Sequence, residues 1–338
     1  MKALVADHLT GLDGLRFGDV PTPVAGAGEI LVRMHFAGIN PADWKTADGY
    51  LAVLPSFRPP LPFVIGLEGA GIVAEVGADV SDFRPGDRVV LKSDVSQGRF
   101  GTYAEFIAID PKLAARLPAD LPLEHAASLP IAGLTAWHGL HAHGAVKAGE
   151  TVFIHAGAGG VGSFAVQVAA LAGARVFASC SPANAAYLTA RGAARTFDYR
   201  DPDMAAQIRA AGACDLVLDA VSDGRHDLTA CLAPGARYVT IPTLDPRAVL
   251  PDAGRLAAAA AAHVPGGLIR ARTRDGLEAL IGLCRQGLIL PELTISAVDD
   301  FVQALAACKA GTRRGKAVVR LWDADEPISA SDLERASA

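Results

Sequence analysis

The segment TVFIHAGAGGVGS, residues 151–163, places a glycine-rich loop between two apolar runs. Its spacing, Gly157-x-Gly159-x-x-Gly162, is weak evidence alone, because a chain with 35 glycines can produce it by chance. The context is more specific, since a strand-like run precedes the loop and an apolar helical run, Val161–Ala172, follows it. Glycine lets a pyrophosphate approach the backbone and rest on the helix N-terminus. The segment predicts a dinucleotide site at Gly157, Gly159, Gly160, Val161 and Gly162; a tight turn without a ligand is the alternative.

The chain continues from this loop with strands that alternate with helices. Arg175–Ala178, Asp215–Asp219 and Tyr238–Ile241 are strand-like, and Ala183–Arg191 and the alanine-rich Leu256–Ala262 are helix-like. This alternation indicates βαβ units and a parallel sheet.

Before about residue 126 the pattern differs, with turn signals such as P21-T-P23 and P85-G-D87 between short alternating runs. In Ile30–Phe36, alternate residues are apolar, while Arg33 and His35 lie on the opposite face. Many short strands with such turns suggest a small barrel-like β domain.

The end of the second predicted strand bears on the choice of dinucleotide. It reads A-S179-C-S181-P, with no carboxylate between Glu150 and Asp198. An NAD site usually places Asp or Glu here to bind the ribose 2′-hydroxyl. Serine hydroxyls instead avoid repulsion against a 2′-phosphate, so NADP(H) is the expected cofactor. Asn184 occupies the place where a basic residue would be expected, and Arg200 is expected to bring positive charge from the next strand.

Composition excludes several classes of protein. A length of 338 residues suggests two domains, and a net charge of −5 without a long basic run disfavours nucleic-acid binding. The most apolar segment is far shorter than the ~20 residues that span a bilayer, and the N-terminus lacks a signal-peptide core. The five cysteines form no C-x-x-C pair. We therefore expect a cytoplasmic enzyme with no membrane or nucleic-acid partner.

Several motifs outside the loop carry a family resemblance: A-G-I-N40-P-A-D-W-K45, G66-L-E-G-A-G71, F83-R-P-G-D-R-V89, G133-L-T-A-W137 and R314-G-K-A-V-V319. With the glycine-rich loop, they make the chain resemble the medium-chain dehydrogenase/reductase superfamily, specifically its zinc-independent quinone oxidoreductase branch. The resemblance implies an α/β protein in which a GroES-like catalytic domain, residues 1–125 and 273–323, is interrupted by a Rossmann NADP-binding domain, residues 126–272. Residues 324–338 are then a polar C-terminal tail. It also implies a homodimer.

The same resemblance bears on metal binding. In zinc-dependent relatives the position of Asn40 carries a cysteine ligand and that of Leu67 a histidine ligand, whereas Glu68 is retained here. Leucine cannot coordinate zinc, and asparagine is a poor substitute for a thiolate. We therefore expect no metal at this position. His138, His141 and His143 form the only histidine cluster in the sequence, but their spacing does not bring all three to one helix face.

Without a Lewis acid, alcohol oxidation is difficult, because nothing lowers the pKa of the alcohol. Hydride delivery from NADPH to a small quinone or another α,β-unsaturated carbonyl remains feasible. One alternative is an NAD-dependent alcohol or aldehyde dehydrogenase, which would need the absent carboxylate and zinc ligands. Another is an NADPH-binding sensor or structural protein without turnover.

The resemblance also implies roles for individual residues. Asn40 is expected near the nicotinamide ribose or the substrate carbonyl, and Tyr50 resembles the tyrosine that enoyl reductases use near the substrate; Tyr50 alternatively only lines the cleft. Asp43 and Lys45 are expected to form a local salt bridge. The remaining cofactor-binding candidates are Thr135 on the nicotinamide side, Ser179, Ser181, Asn184 and Tyr199 at the 2′-phosphate, and Lys316 in the terminal strand. Residues 51–62 and 92–100 are expected to border the substrate.

Overall fold

The computed structural model describes residues 1–50, 59–95, 99–241, 250–258, 262–265, 273–311 and 314–321. The chain divides into two compact units. The first comprises Met1–Ile131, Ala271–Ile281 and Pro291–Ala338, and the second comprises Ala132–Arg270 and Gly282–Leu290. The domain limits expected from the sequence remain a prediction. The predicted tail at 324–338 lies outside the described residues.

Strands predominate in the first unit and alternate with helices in the second. The strands are β1 (Lys2–Ala6), β2 (Leu15–Asp19), β3 (Ile30–Ile39), β4 (Phe63–Val64), β5 (Glu68–Val76), β6 (Arg88–Lys92), β7 (Phe106–Ile109), β8 (Ala114–Arg116), β9 (Thr151–His155), β10 (Arg175–Cys180), β11 (Ala193–Asp198), β12 (Cys214–Asp219), β13 (Leu232–Thr240), β14 (Ala262–Pro265), β15 (Leu293–Ala297) and β16 (Lys316–Arg320). The α-helices are α1 (Pro41–Ala47), α2 (Leu123–Ala126), α3 (Pro130–Trp137), α4 (Gly160–Leu171), α5 (Ala185–Thr189), α6 (Met204–Ala211), α7 (Ala253–Ala258), α8 (Thr273–Arg285) and α9 (Phe301–Lys309). Within the described ranges, no helix is both long and apolar enough to cross a bilayer.

The second unit contains the predicted parallel sheet. Its strand order is β11-β10-β9-β12-β13-β14, and every neighbouring pair is parallel. The central strand β9 buries Val152, Phe153 and Ile154 completely, as expected for a strand covered on both faces. The strand order reverses between β9 and β12. Ligands of such sheets bind outside the carboxyl ends of the strands at this reversal.

The first unit is organised around the ten-residue strand β3. One edge of β3 pairs with β5, and the other pairs with β7 over Ile30–Arg33 and with β16 over Phe36–Ile39. All these pairings are antiparallel, as in a GroES-like domain. Both faces of β3 are covered, so Arg33 and His35 are as fully buried as Met34 between them.

The alanine-rich segment after Asp252 differs from the sequence prediction of a helix over Leu256–Ala262. Helix α7 ends at Ala258, and the backbone of Ala262–Pro265 forms β14. Ala262 pairs in register with Arg237 of β13. Pairing at the sheet edge thus overrides the high helix propensity of alanine at this position.

Candidate functional site

The glycine-rich loop of the second unit follows β9 directly. Ala156 has a positive φ of 58° and donates its N–H to Ser179 Oγ at 2.9 Å. The N–H of Gly157 donates to the backbone oxygen of Ser179 at 2.8 Å. Ser179, on the neighbouring strand β10, therefore anchors the start of the loop through its hydroxyl and its carbonyl.

The glycines of this loop have different structural roles. A Cβ on Gly162 would lie 2.2 Å from the carbonyl oxygen of Ala156, and one on Gly157 would lie 2.9 Å from Leu188 Cδ1. These two glycines allow close packing of the loop against α4 and its surroundings. A Cβ on Gly159 would meet only the Ala156 oxygen, at 3.3 Å.

Gly159 is the N-cap of α4 and provides no side-chain acceptor to the first turn. The backbone N–H groups of that turn, which includes Gly160 and Val161, can therefore donate to an anion. The open surface at Gly159 and these donors fit the pyrophosphate of a dinucleotide.

The residues expected near a 2′-phosphate lie at the ends of β10 and β11. Ser179 is fully buried, Ser181 is half-buried and accepts from Asn184 Nδ2 at 3.2 Å, and Tyr199 is 36% exposed. Ser179 thus already uses its hydroxyl oxygen to hold the loop. Contact between these side chains and a 2′-phosphate remains a prediction.

The Arg200 guanidinium makes two hydrogen bonds to the Asp198 carboxylate, each 3.0 Å long. Asp198 pairs in register with Cys180 at the end of β10. The positive charge expected from the sequence is therefore compensated by a carboxylate. Together the two side chains carry no net charge.

A buried polar cluster lies at the carboxyl ends of β9 and β12. His155 Nδ1 is 3.0 Å from Asp219 Oδ1, and the Tyr238 hydroxyl donates to Asp219 Oδ2 at 3.0 Å. Asp219 also accepts the N–H groups of Val221 and Ser222. Burial raises the pKa of Asp219, but the hydrogen bond and charge of His155 and the two N–H donors outweigh it, so its pKa lies below the usual value.

A cavity of about 170 Å³ adjoins His155, Asp219 and Tyr238. It lies where the strand order of the sheet reverses, which is the expected side for the rest of a dinucleotide. Sequence reasoning did not identify this cluster. The sequence feature that could have indicated it is the polar residue at the end of each of two apolar strands, His155 in TVFIH and Asp219 in CDLVLD.

The first unit contains a cluster of charged and amide side chains formed by Asn40, Glu68 and Lys316. Lys316 Nζ lies 2.7 Å from Glu68 Oε1 and 2.5 Å from Asn40 Oδ1, and it donates to the Ile39 oxygen at 3.3 Å. Asn40 Nδ2 donates to the same Glu68 oxygen at 2.7 Å. The Lys316 and Glu68 side chains are only 4% and 0% exposed. The structure therefore brings two of the predicted site residues, Asn40 and Lys316, into direct contact.

Glu68 connects this cluster to two other elements. Its Oε2 accepts the N–H of Ile131 at 2.6 Å, at the start of α3. A Cβ on Gly38 of β3 would lie 2.2 Å from Glu68 Oε1. Gly38 thus provides the space that the carboxylate occupies.

Asp43 is fully buried beside this cluster. Its Oδ2 accepts the N–H of Asn40 at 2.7 Å, and its Oδ1 accepts the N–H of Leu67 at 3.1 Å. Burial raises the pKa of Asp43 to about 7, against the lowering effect of hydrogen bonds from Tyr103 and Asn40. Burial and the nearby Asp43 also raise the pKa of Tyr103. The expected Asp43–Lys45 salt bridge is wrong, because Asp43 points inward and Lys45 lies over the neighbouring tryptophan ring.

The other predicted residues lie apart from this cluster or are only partly described. Tyr50 is half-buried, with its ring edge against Trp44 at a centroid distance of 6.0 Å. Thr135 is half-buried on α3. Residues 51–58 and 96–98 of the two predicted substrate loops lie outside the described residues.

The three clustered histidines occupy a π-helical segment, His138–His143. His141 packs its ring against Trp137 at 4.0 Å, and burial lowers the pKa of His141. Within the described part of the chain, no group of three or more His, Cys, Asp and Glu residues could hold a metal ion.

The donor set at Asn40, Leu67 and Glu68 does not fit zinc. Leucine has no donor atom, and the carboxamide oxygen of Asn40 and Oε1 of Glu68 both accept from the Lys316 ammonium. A cation supplied by the chain itself is therefore already bound by these oxygens.

Two family models match the chain: alcohol dehydrogenase GroES-like domain over residues 26–119, and zinc-binding dehydrogenase over residues 191–319. The chloroplastic quinone oxidoreductase QR1 of Triphysaria versicolor is 36% identical over 201 residues. That match covers 58% of this chain and 60% of the plant protein. The chain therefore spans less than two thirds of this relative.

Solved structures are similar over nearly the whole chain. The quinone oxidoreductase from Coxiella burnetii is 30% identical, with a TM-score of 0.81, and the match covers 95% of this chain and 99% of that one. The CurK enoyl reductase is 26% identical, with a TM-score of 0.83, and the match covers 94% and 98%.

Proposed function

We propose that this chain is an NADPH-dependent reductase of quinones or α,β-unsaturated carbonyls. The chain belongs to the medium-chain dehydrogenase/reductase superfamily, and within it to the quinone oxidoreductase branch. We further propose that it needs no zinc. The observation that carries the proposal is the Lys316 ammonium, bound by Asn40 and Glu68 beside Leu67.

The residues of the second unit fit a nicotinamide dinucleotide. The N–H groups at the start of α4 would bind its pyrophosphate, and Gly159 keeps the approach free of side-chain atoms. When bound, NADPH would supply the hydride. The serines at the end of β10 and the absence of an acid there favour the phosphorylated dinucleotide.

The residues of the first unit suit an acceptor that is already polarised. Asn40 would donate an N–H to the acceptor carbonyl and stabilise the negative charge that develops on its oxygen. The donor set lacks the ligands with which zinc would lower the pKa of an alcohol, which disfavours alcohol oxidation. Tyr50 is a second candidate for contact with the acceptor.

The test compares the oxidation of NADPH and NADH with 9,10-phenanthrenequinone, 1,4-benzoquinone and 3-penten-2-one. Turnover that prefers NADPH is expected with at least one acceptor. Tight NADPH binding without turnover on any acceptor would instead favour the sensor alternative. Homodimer formation and a cytoplasmic location remain predictions, which sedimentation and localisation of the tagged protein would test.

A further inference from the structure

The hydrogen bonds around Asn40 determine which way its carboxamide faces. An ammonium only donates and an ionised carboxylate only accepts, so the amide oxygen must face Lys316 and the amide nitrogen must face Glu68. The second N–H of Asn40 has no other partner among the described residues. That N–H is the group that the proposed function assigns to the acceptor carbonyl.

From this geometry we infer that Lys316 and Glu68 are positioning residues, which lock the Asn40 carboxamide in one orientation with one N–H reserved for the acceptor. The inference rests on the proposed function. It gives Lys316 a role different from the cofactor contact expected from the sequence, because its ammonium binds Asn40, Glu68 and Ile39.

The cluster is built to hold one arrangement. Lys316 has three N–H donors, and the structure provides an acceptor for each of them. Glu68 uses one oxygen for Lys316 and Asn40 and the other for the N–H of Ile131. A buried network with all its groups satisfied strongly disfavours a rotated amide, which would set N–H against ammonium and oxygen against carboxylate.

A purely structural ion pair is the competing explanation. Lys316 lies on β16, which already pairs with β3 through backbone hydrogen bonds next to Ile39. Joining these strands would not require the ammonium to contact Asn40. The two explanations differ in whether the loss of Lys316 acts through Asn40.

A double-mutant cycle separates them, using Asn40→Ala, Lys316→Met and the combined variant, each measured for kcat, KM and NADPH affinity. Each single change is expected to lower kcat about 10- to 100-fold, while the NADPH dissociation constant changes less than about threefold. The combined variant is expected to match Asn40→Ala, because Lys316 acts only through that side chain. Multiplied losses in the combined variant would overturn the inference.

The control is Lys2→Met, which removes an exposed lysine with a similar 2.8 Å contact to Asp19 in the same unit. It is expected to leave kcat unchanged. If Lys316→Met fails to fold, the cycle is run with Lys316→Met combined with Glu68→Gln, which leaves no unpaired buried charge.

A readout independent of turnover is the side-chain amide signal of Asn40 in protein labelled with ¹⁵N-asparagine, assigned by its loss in Asn40→Ala. The signal is expected to shift in Lys316→Met and to remain in place in Lys2→Met. An unchanged signal in Lys316→Met would overturn the inference. The two proposals fail separately, since absence of turnover in the parent protein contradicts the proposed function, whereas the amide signal tests the lock itself.

Discussion

Each unit buries an aspartate, and the two carboxyl groups have opposite pKa shifts. In the second unit, Asp219 contacts the His155 ring and two backbone N–H groups, and its pKa is lowered despite burial. In the first unit, Asp43 also accepts two backbone N–H groups. Burial nevertheless raises the pKa of Asp43 to about 7, and the nearby Glu68 adds to this effect. Burial alone therefore does not decide the charge of a buried carboxyl group. A direct hydrogen-bond partner such as His155 also contributes.

The same comparison applies to how each unit presents its polar groups. The first unit uses a cluster of Lys316, Glu68 and Asn40, in which the ammonium and the carboxylate balance each other's charge and the amide bonds to both. The second unit uses glycines and backbone N–H groups, which leave a surface open to an anion. The first arrangement should be sensitive to loss of a charge, and the second to addition of a methyl group.

The largest effect is expected from Glu68→Ala, which leaves the Lys316 ammonium buried without its carboxylate. Removing one partner of a buried ion pair costs about 3–5 kcal/mol of unfolding free energy. Asp19→Ala, which breaks the exposed pair with Lys2, should cost far less, because solvent screens that pair. Denaturant unfolding of both variants makes the comparison, and similar losses would contradict the distinction between the two pairs.

The next effect is the pH dependence of stability that arises from Asp43. Its folded pKa of about 7 lies above the usual value of 3.8, so its contribution to stability is fully present below about pH 4 and is lost as pH rises through about 7. Between pH 4.5 and 7.5 the loss should be about 3 kcal/mol. Asp43→Asn should remove this part of the dependence.

Asp219 should behave in the opposite direction. Its folded pKa is lowered, so its contribution is present above the unfolded pKa and is lost as pH falls through the folded value. Because asparagine resembles the protonated acid, both variants should match the parent in this respect at low pH and differ from it in opposite directions at neutral pH and above. There, unfolding curves should show that Asp43→Asn gains stability relative to the parent and that Asp219→Asn loses it. Changes of the same sign in the two variants would show that the two carboxyl groups are not in contrasting environments.

Two alanine substitutions in the glycine-rich loop should separate packing from ligand approach. Gly162→Ala places a methyl group against the Ala156 oxygen and should cost about 1–3 kcal/mol of stability. Gly159→Ala, with more space, should change stability by less than about 1 kcal/mol but weaken NADPH binding about tenfold or more, because the methyl group meets the pyrophosphate. Thermal unfolding and fluorescence titration with NADPH measure the two effects, and intact binding by Gly159→Ala would contradict the assigned pyrophosphate site.

The smallest expected effect concerns the choice between NADPH and NADH. Asp198→Asn removes the carboxylate that pairs with Arg200, so the guanidinium can meet a 2′-phosphate. The ratio of kcat/KM for NADPH over NADH should rise about fivefold. Asp7→Asn, which frees Arg16 from an exposed pair in the first unit, is the matched control and should leave the ratio unchanged. A fall in the ratio with Asp198→Asn would place the 2′-phosphate away from Arg200.

The sequence predicted the elements whose residues are close together along the chain. The glycine-rich loop, its flanking strand and helix, and the parallel sheet are local patterns with a fixed period, and the structure contains them. The Asn40–Glu68–Lys316 cluster is not local, because Lys316 and Glu68 are 248 residues apart. Its residues lie in sequence motifs of the family, but their contacts depend on strand pairing that the sequence alone does not specify.

Other features depended on tertiary context. Arg33 and His35 alternate with apolar residues as expected, yet both faces of β3 are buried. Ala262 lies in an alanine-rich run but pairs with a neighbouring strand. The inward direction of Asp43 depends on two backbone N–H groups, one of which, that of Leu67, comes from a distant part of the chain.

The most direct test of the central claim is the rate of NADPH oxidation with 9,10-phenanthrenequinone before and after exhaustive dialysis against EDTA, with metal content measured on the same samples. If the Lys316 ammonium takes the place of a metal ion beside Asn40 and Glu68, the dialysed protein should retain its full rate at a zinc content far below one ion per chain. Loss of the rate on dialysis, with recovery when zinc is added, would contradict this account.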